Sequence, residues 1–136
     1  VASATEEMLR WVSPIKNMAR TATKDTELGG KTIRAGQKLL LLYPSANRDE
    51  GHFSDPDTFD IRREPNDHVA FGFGVHVCMG SNLARLEITT VLNRLLTRLP
   101  DLELVDDTEP AFRRANFVSG YESMPVTFTP SRRVAR

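Results

Sequence analysis

The order of residues predicts an α+β fold, on three observations. Leu83, Ala84, Ile88, Val91, Leu92, Leu95, Leu96 and Leu99 recur at the i, i+3, i+4 spacing of a helix over residues 80–99. Thr21, Thr23 and Thr26, a Gly29-Gly30 centre, then Thr32 and Ile33 spell a hairpin within residues 21–37, because the tight turns that hairpins favour need positive φ. Short apolar runs separated by eight prolines punctuate the rest into many small elements. A chain of 136 residues is long enough for one domain with its own core.

Residues 2–11 read as a first helix, which Ser13-Pro14 ends because the residue before a proline resists the α conformation. Glu7 and Arg10 lie three apart and share a face of it; as an exposed pair they would contribute only a few tenths of a kcal/mol. Residues 14–20 read as extended, with apolar Ile15 and Met18. After the hairpin, Leu39-Leu40-Leu41-Leu42-Tyr43 fits helix or strand by periodicity alone, and its shortness before Pro44 favours a buried strand. A short helix is expected over 45–49. Residues 50–68, with Gly51, Asp55-Pro56-Asp57 and Pro65-Asn66-Asp67, read as a long irregular connection of the kind that is functional or tightly packed. The leucine-rich helix, its stripe expected to be core, stops at Pro100. Strand-like pieces at 102–105 and 125–129 then flank a turn at Val118-Ser119-Gly120-Tyr121.

Eighteen basic residues balance 18 acidic ones, so no electrostatic footprint for nucleic acid is present, and the aromatics are too scattered for stacking platforms. No apolar run reaches membrane-spanning length, and no signal peptide is visible. One cysteine cannot form an internal disulfide, which fits a reducing cytoplasm and sets the expected location as cytoplasmic. A start at Val1, directly into a helix, suggests a chain cut from something longer. Arg132, Arg133 and Arg136 read as a frayed, solvated tail.

The densest chemical signal is Phe71-Gly72-Phe73-Gly74-Val75-His76-Val77-Cys78-Met79-Gly80-Ser81-Asn82-Leu83-Ala84-Arg85. Its glycines permit positive φ and close backbone approach to a flat ligand. The sulfur of Cys78 sits just ahead of a helix, where free N–H groups and the dipole favour a reactive or metal-bound thiolate. The competing reading is a lone cysteine acting as a small buried hydrophobe. His52 and His68 invite a metal reading with Cys78, but their spacing matches no zinc pattern.

Phe71-x-x-Gly74-x-His76-x-Cys78-x-Gly80-x-x-Leu83-Ala84-Arg85 resembles the cysteine-ligand loop of the cytochrome P450 family, the haem-thiolate monooxygenases. The resemblance implies the C-terminal portion of that mainly helical fold, from a soluble bacterial-type member, with residues 1–136 forming a single incomplete domain. It implies that the Cys78 thiolate is the axial ligand to the iron of haem b, a ligand that favours O–O cleavage. Phe71, Gly72, Gly74, Gly80 and Ala84 would then line the haem, and Arg20 and His76 would hold its propionates; the alternatives are a solvated strand-end arginine and a solvated loop histidine. Glu7 and Arg10 match a Glu-x-x-Arg hallmark whose partner is an arginine after Phe59-Asp60-Ile61. Arg62 and Arg63 both qualify, and Arg63 stands at the family's spacing from Phe59. Ala46-Asn47-Arg48-Asp49 is also similar to the family.

By the same resemblance, residues 14–20 and the turn near Val118 face the substrate cavity, so Ile15, Asn17, Met18, Val118 and Ser119 are substrate-contact candidates. The implied partners are a ferredoxin or reductase and an apolar small molecule, a sterol or a fatty-acyl lipid. The helix carrying the family's proton-delivering acid–alcohol pair has no counterpart here. The chain alone is therefore expected to be inactive, to expose apolar surface on the leucine-rich helix and the 39–43 strand, and to self-associate. A different function class also fits: a non-enzymatic module that binds haem weakly or oligomerises through that surface.

Overall fold

The computed structural model describes residues 1–105 and 110–130, so the basic tail lies outside the described residues. Helix α1, Ala2–Val12, ends where Ser13 turns left-handed at φ 41°. The Ser13 N–H donates to the Leu9 carbonyl at 3.0 Å and its hydroxyl to that of Arg10 at 2.8 Å, so the last turn is capped before Pro14 leads the chain away.

Strand β1, Asn17–Thr21, pairs antiparallel with β4, Lys38–Leu42, in a register that sets Asn17 opposite Leu42 and Arg20 opposite Leu39. Nested between them, β2, Thr26–Leu28, pairs with β3, Lys31–Ile33. Gly29 at φ 56° and Gly30 at φ 72° make the turn, as the Gly-Gly signal requires. The hairpin is narrower than expected from the threonines, because Thr21 belongs to the outer ribbon opposite Lys38.

Helix α2 spans Tyr43–Ala46 rather than 45–49. Pro44 sits in its first turn, where a missing N–H costs nothing, so the proline opens the helix instead of merely stopping the strand. The chain then runs irregularly to a 3-10 turn at Gly74–His76 and enters α3, Ser81–Arg98. Strand β5, Glu103–Leu104, pairs with β8, Val126–Thr127. Strand β6, Phe112–Arg113, pairs with β7, Gly120–Tyr121, whose residues were expected to be a turn. The edge-on packing of Phe112 against Tyr121, 5.4 Å between centroids, supplies a cross-strand contact that pattern reading could not foresee.

The readings of the helical stripe as core and of residues 39–43 as a buried strand do not hold within this chain, while the apolar surface expected on both elements is there. No residue of α3 is fully buried, and Leu83, Leu86, Val91 and Leu96 are more than half exposed. Among the described residues, α1 is the helix that packs along it, through Thr5 and Thr89, whose hydroxyls meet at 3.2 Å, so the stripe is wider than that helix covers. Leu40 and Leu42 of β4 are likewise exposed, because a single antiparallel partner pairs one edge of the strand and covers neither of its faces. The apolar core is small, Leu9, Phe53 and Ala70, and the most deeply buried side chains are polar: Arg10, Glu7, Asn47, Thr5 and Ser13.

Candidate functional site

That polar centre is an ion-pair network. Arg10 forks onto Glu7, Nε to Oε2 and Nη2 to Oε1, both at 2.8 Å, with both side chains wholly buried. Its remaining N–H groups donate to the carbonyls of Asn47 at 2.7 Å, Pro56 at 2.9 Å and Thr58 at 3.2 Å, so all five guanidinium donors are engaged. Glu7 also accepts from the Asp60 N–H at 2.9 Å and the Asn66 amide at 3.0 Å. Of the two arginines after Ile61, it is Arg63 that approaches Glu7, Nε to Oε2 at 3.3 Å, while its other nitrogens bind the carbonyls of Ser54, Asp55 and Thr58. Burial alone would push the Glu7 pKa up. The Arg10 hydrogen bonds, the Asp60 N–H, the Arg10 charge and Arg63 outweigh it and hold the carboxyl down to about 2.

Asn47 links this network to the cysteine loop. Its amide donates to the Ser13 hydroxyl at 2.8 Å and its Oδ1 accepts the Val69 N–H at 2.8 Å. The Val69 carbonyl then takes the Gly72 N–H, and the Phe71 carbonyl takes the Cys78 N–H, each at 2.8 Å. A continuous set of hydrogen bonds therefore runs from Glu7 to the residue bearing the sulfur. The tetrapeptide containing Asn47 stood out in the sequence, but no role could be assigned to it, since its partners lie in three other segments.

Cys78 is a free, exposed cysteine, three residues ahead of Ser81, whose N–H it accepts at 3.1 Å. Gly72 at φ 76° and Gly74 at φ 68° adopt backbone that side chains resist. A Cβ on Gly72 would lie 3.4 Å from the His76 carbonyl and 3.5 Å from the Tyr43 hydroxyl. The loop turns apolar side chains outward: Phe73, Val75 and Met79 are 86, 96 and 100% exposed.

Beside the loop lies a mainly apolar cleft of about 360 Å³, lined by Leu9, Pro14, Ile15, Met18, Tyr43, Ala70, Phe71, Gly72, His76 and Cys78. It brings together five of the cofactor and substrate candidates besides the cysteine. The others stand apart from its walls. Arg20 is exposed on β1 with Nη1 on the Ala19 carbonyl at 2.9 Å. The Asn17 amide donates to the Asn116 carbonyl. Val118 forms an isolated antiparallel bridge with Ile15. Ser119 donates its N–H to Pro14 at 3.3 Å, is buried, and leaves its hydroxyl without a partner among the described residues. Gly80 caps α3, and Ala84, half-buried, donates its N–H to the Gly80 carbonyl at 2.9 Å. Among the described residues no group of three or more His, Cys, Asp or Glu is placed to hold a metal ion. No described helix is long and apolar enough to cross a membrane.

A larger apolar groove, about 510 Å³, lies between the second half of α3 and Phe128 and Pro130. Among the described residues its charged lining groups are Arg94 and Arg98, with no carboxylate, histidine or cysteine beside them. Chemically the smaller cleft is the capable one: an exposed cysteine, a glycine-bearing rim and an apolar wall can receive a flat ligand with a single thiolate bond.

A second charged cluster was not anticipated. Glu6 of α1 receives Arg85 Nε and Nη2 at 2.8 and 2.9 Å and faces His68 Nε2 at 3.1 Å. In the sequence Arg85 stands only as part of the cysteine-loop motif and His68 only at a spacing that fits no zinc site.

The family model for cytochrome P450 matches residues 1–122. The steroid C26-monooxygenase of Mycolicibacterium smegmatis is 61% identical over 128 residues, covering 94% of this chain and 32% of the relative. The methyl-branched lipid omega-hydroxylase of Mycobacterium bovis is 47% identical, covering 93% of this chain and 29% of the relative. The crystal structure of P450BioI in complex with hexadec-9Z-enoic acid ligated acyl carrier protein superposes with a TM-score of 0.89 at 46% identity, over 94% of this chain and 34% of that one. The chain thus spans about a third of the length of the proteins it matches. The family model over residues 1–122 and the fold shared with solved members put this chain in the cytochrome P450 family.

Proposed function

We propose that this chain is the C-terminal haem-binding portion of a longer monooxygenase, in which the thiolate of Cys78 would hold haem b by its iron. The observation that carries the reading is the cleft in which Cys78, His76, Phe71 and Gly72 meet Ile15 and Met18. The residues fit the group on chemical grounds. The sulfur is exposed and free of disulfide, and the positive φ of Gly72 and Gly74 leaves no Cβ between backbone and ligand. When bound, the haem supplies the redox chemistry: O₂, two electrons and two protons convert a C–H bond to C–OH with release of water.

The chain's own residues bind and orient. Cys78 would hold the metal through its thiolate, a ligand that favours O–O cleavage. His76 and Arg20 would hold the two propionates, the guanidinium fork of Arg20 matching a carboxylate. Gly80 and Ala84, small residues at the helix start, would let a flat ring approach the backbone there. Ile15 and Met18, with Asn17, Val118 and Ser119 at the strand edge, contact an apolar substrate. Glu7, Arg10 and Arg63 hold the connection that carries the loop. Electrons come from a ferredoxin or reductase partner, as is general in the family.

For the substrate we favour a steroid with an apolar side chain, oxidised toward the end of that chain. The support is the 61% identity to a steroid C26-monooxygenase against 47% to a methyl-branched lipid omega-hydroxylase. The test is incubation of the longer, haem-loaded protein with O₂, a reductase system and each lipid class, followed by mass spectrometry. One oxygen added to the steroid side chain is expected. Turnover of the branched lipid alone overturns the substrate class, and no oxygenated product from either overturns the activity.

A further inference from the structure

The clamp formed by Glu6, His68 and Arg85 draws three distant segments onto one aromatic ring. The Arg85 guanidinium carbon stands 4.7 Å from the centroid of Phe71, a cation–π distance, while its Nε and Nη2 bind the two oxygens of Glu6. The His68 imidazole, its side chain 1% exposed, sits 6.3 Å from the same ring between centroids. Its Nδ1 accepts the Ala70 N–H at 3.2 Å, which leaves the proton on Nε2 to be donated to Glu6 at 3.1 Å. Burial lowers the His68 pKa, outweighing the Glu6 carboxylate, and so keeps the ring in this neutral form. Hydrogen bonds from Arg85 hold Glu6 below the usual carboxylate range.

Glu6 and Arg85 are about one-third exposed, 30 and 35%. A bridge that open adds little to global stability, so its consequence is geometric. Phe71 is the stem of the cysteine loop, since its carbonyl accepts the Cys78 N–H at 2.8 Å and its ring lines the cleft. The geometry points to Glu6, His68 and Arg85 as positioning residues that aim the Cys78 sulfur by fixing Phe71, an inference that rests on the haem-thiolate reading above.

The experiment uses the longer, haem-loaded protein, reduced and treated with carbon monoxide, and follows the red-shifted Soret band of thiolate-ligated haem. Arg85→Gln and Glu6→Gln are expected to speed loss of that band by about five- to tenfold. Phe71→Leu should act alike, and Phe71→Leu combined with Arg85→Gln should be no worse than either alone, because all act through one ring. Thr89→Ala loosens the same α1–α3 contact without touching Phe71 and should leave the band as it was. Should Arg85→Gln fail to fold, Arg85→Lys, which retains the charge but not the planar fork, carries the test with a smaller loss. Wild-type persistence of the band in the Arg85 and Glu6 variants, or equal loss in Thr89→Ala, overturns the inference. Cys78→Ser separates the two ideas: retention of the band there overturns the haem-thiolate reading, whereas its loss there with no effect at Arg85 overturns the positioning role alone.

Discussion

Glu7 is charged where an unpaired carboxylate would be neutralised, and it stays charged because two arginines, a backbone N–H and an amide converge on it. Its pKa falls from 4.5 to about 2 on folding, so the ionised form contributes stability above pH 4.5 that fades as pH drops toward 2. Glu7→Gln keeps the shape and strands Arg10. Urea unfolding of the longer protein should show a loss of about 3–5 kcal/mol at neutral pH. The variant should also lack the decline that the wild type shows between pH 4.5 and 2; an unchanged acid profile would contradict the assignment. At this scale the charge network was legible where a motif marked the residue: Glu7, Arg10 and Arg63 all belong to spaced patterns. Glu6 and His68 were not legible, since Glu6 meets Arg85 across 79 positions and His68 across 62, and nothing in either neighbourhood encodes the pairing.

Among the elements, those specified by local chemistry were readable. The Gly29-Gly30 turn, the stop at Ser13 and the long helix follow from φ preferences, proline sterics and periodicity. The start of α2 at Tyr43 and the β6–β7 pair were not, because a proline admits two readings and a two-residue strand depends on its partner. The cysteine loop offers a test at this level. Gly72→Ala and Gly30→Ala both place a Cβ at positive φ, at a cost of about 1–2 kcal/mol each. Only Gly72 lies beside the cleft, where the new atom meets His76 and Tyr43; around Gly30 nothing stands within 4 Å. Gly72→Ala should therefore speed haem transfer to a scavenging protein severalfold, while Gly30→Ala lowers the melting temperature and leaves transfer unchanged. Equal transfer rates would remove Gly72 from the haem contact.

On the scale of the molecule, the dominant fact is how much apolar surface a third of a fold leaves uncovered. The faces of β4 and α3, the groove against Phe128, and the outward Phe73, Val75 and Met79 suit either the remainder of a longer protein or a second copy. Periodicity identified the stripe on α3 correctly but could not say that α1 covers only part of it, because burial depends on neighbours. The same surface is what favours the alternative of a non-enzymatic oligomer over a free monomer. One bond decides between them. The most direct measurement is the reduced, carbon-monoxide-treated absorbance spectrum of the longer protein, with Cys78 intact and as Cys78→Ser. A red-shifted Soret band that is present in the first and lost in the second is predicted; the same band in both, or in neither, would contradict haem ligation by this cysteine.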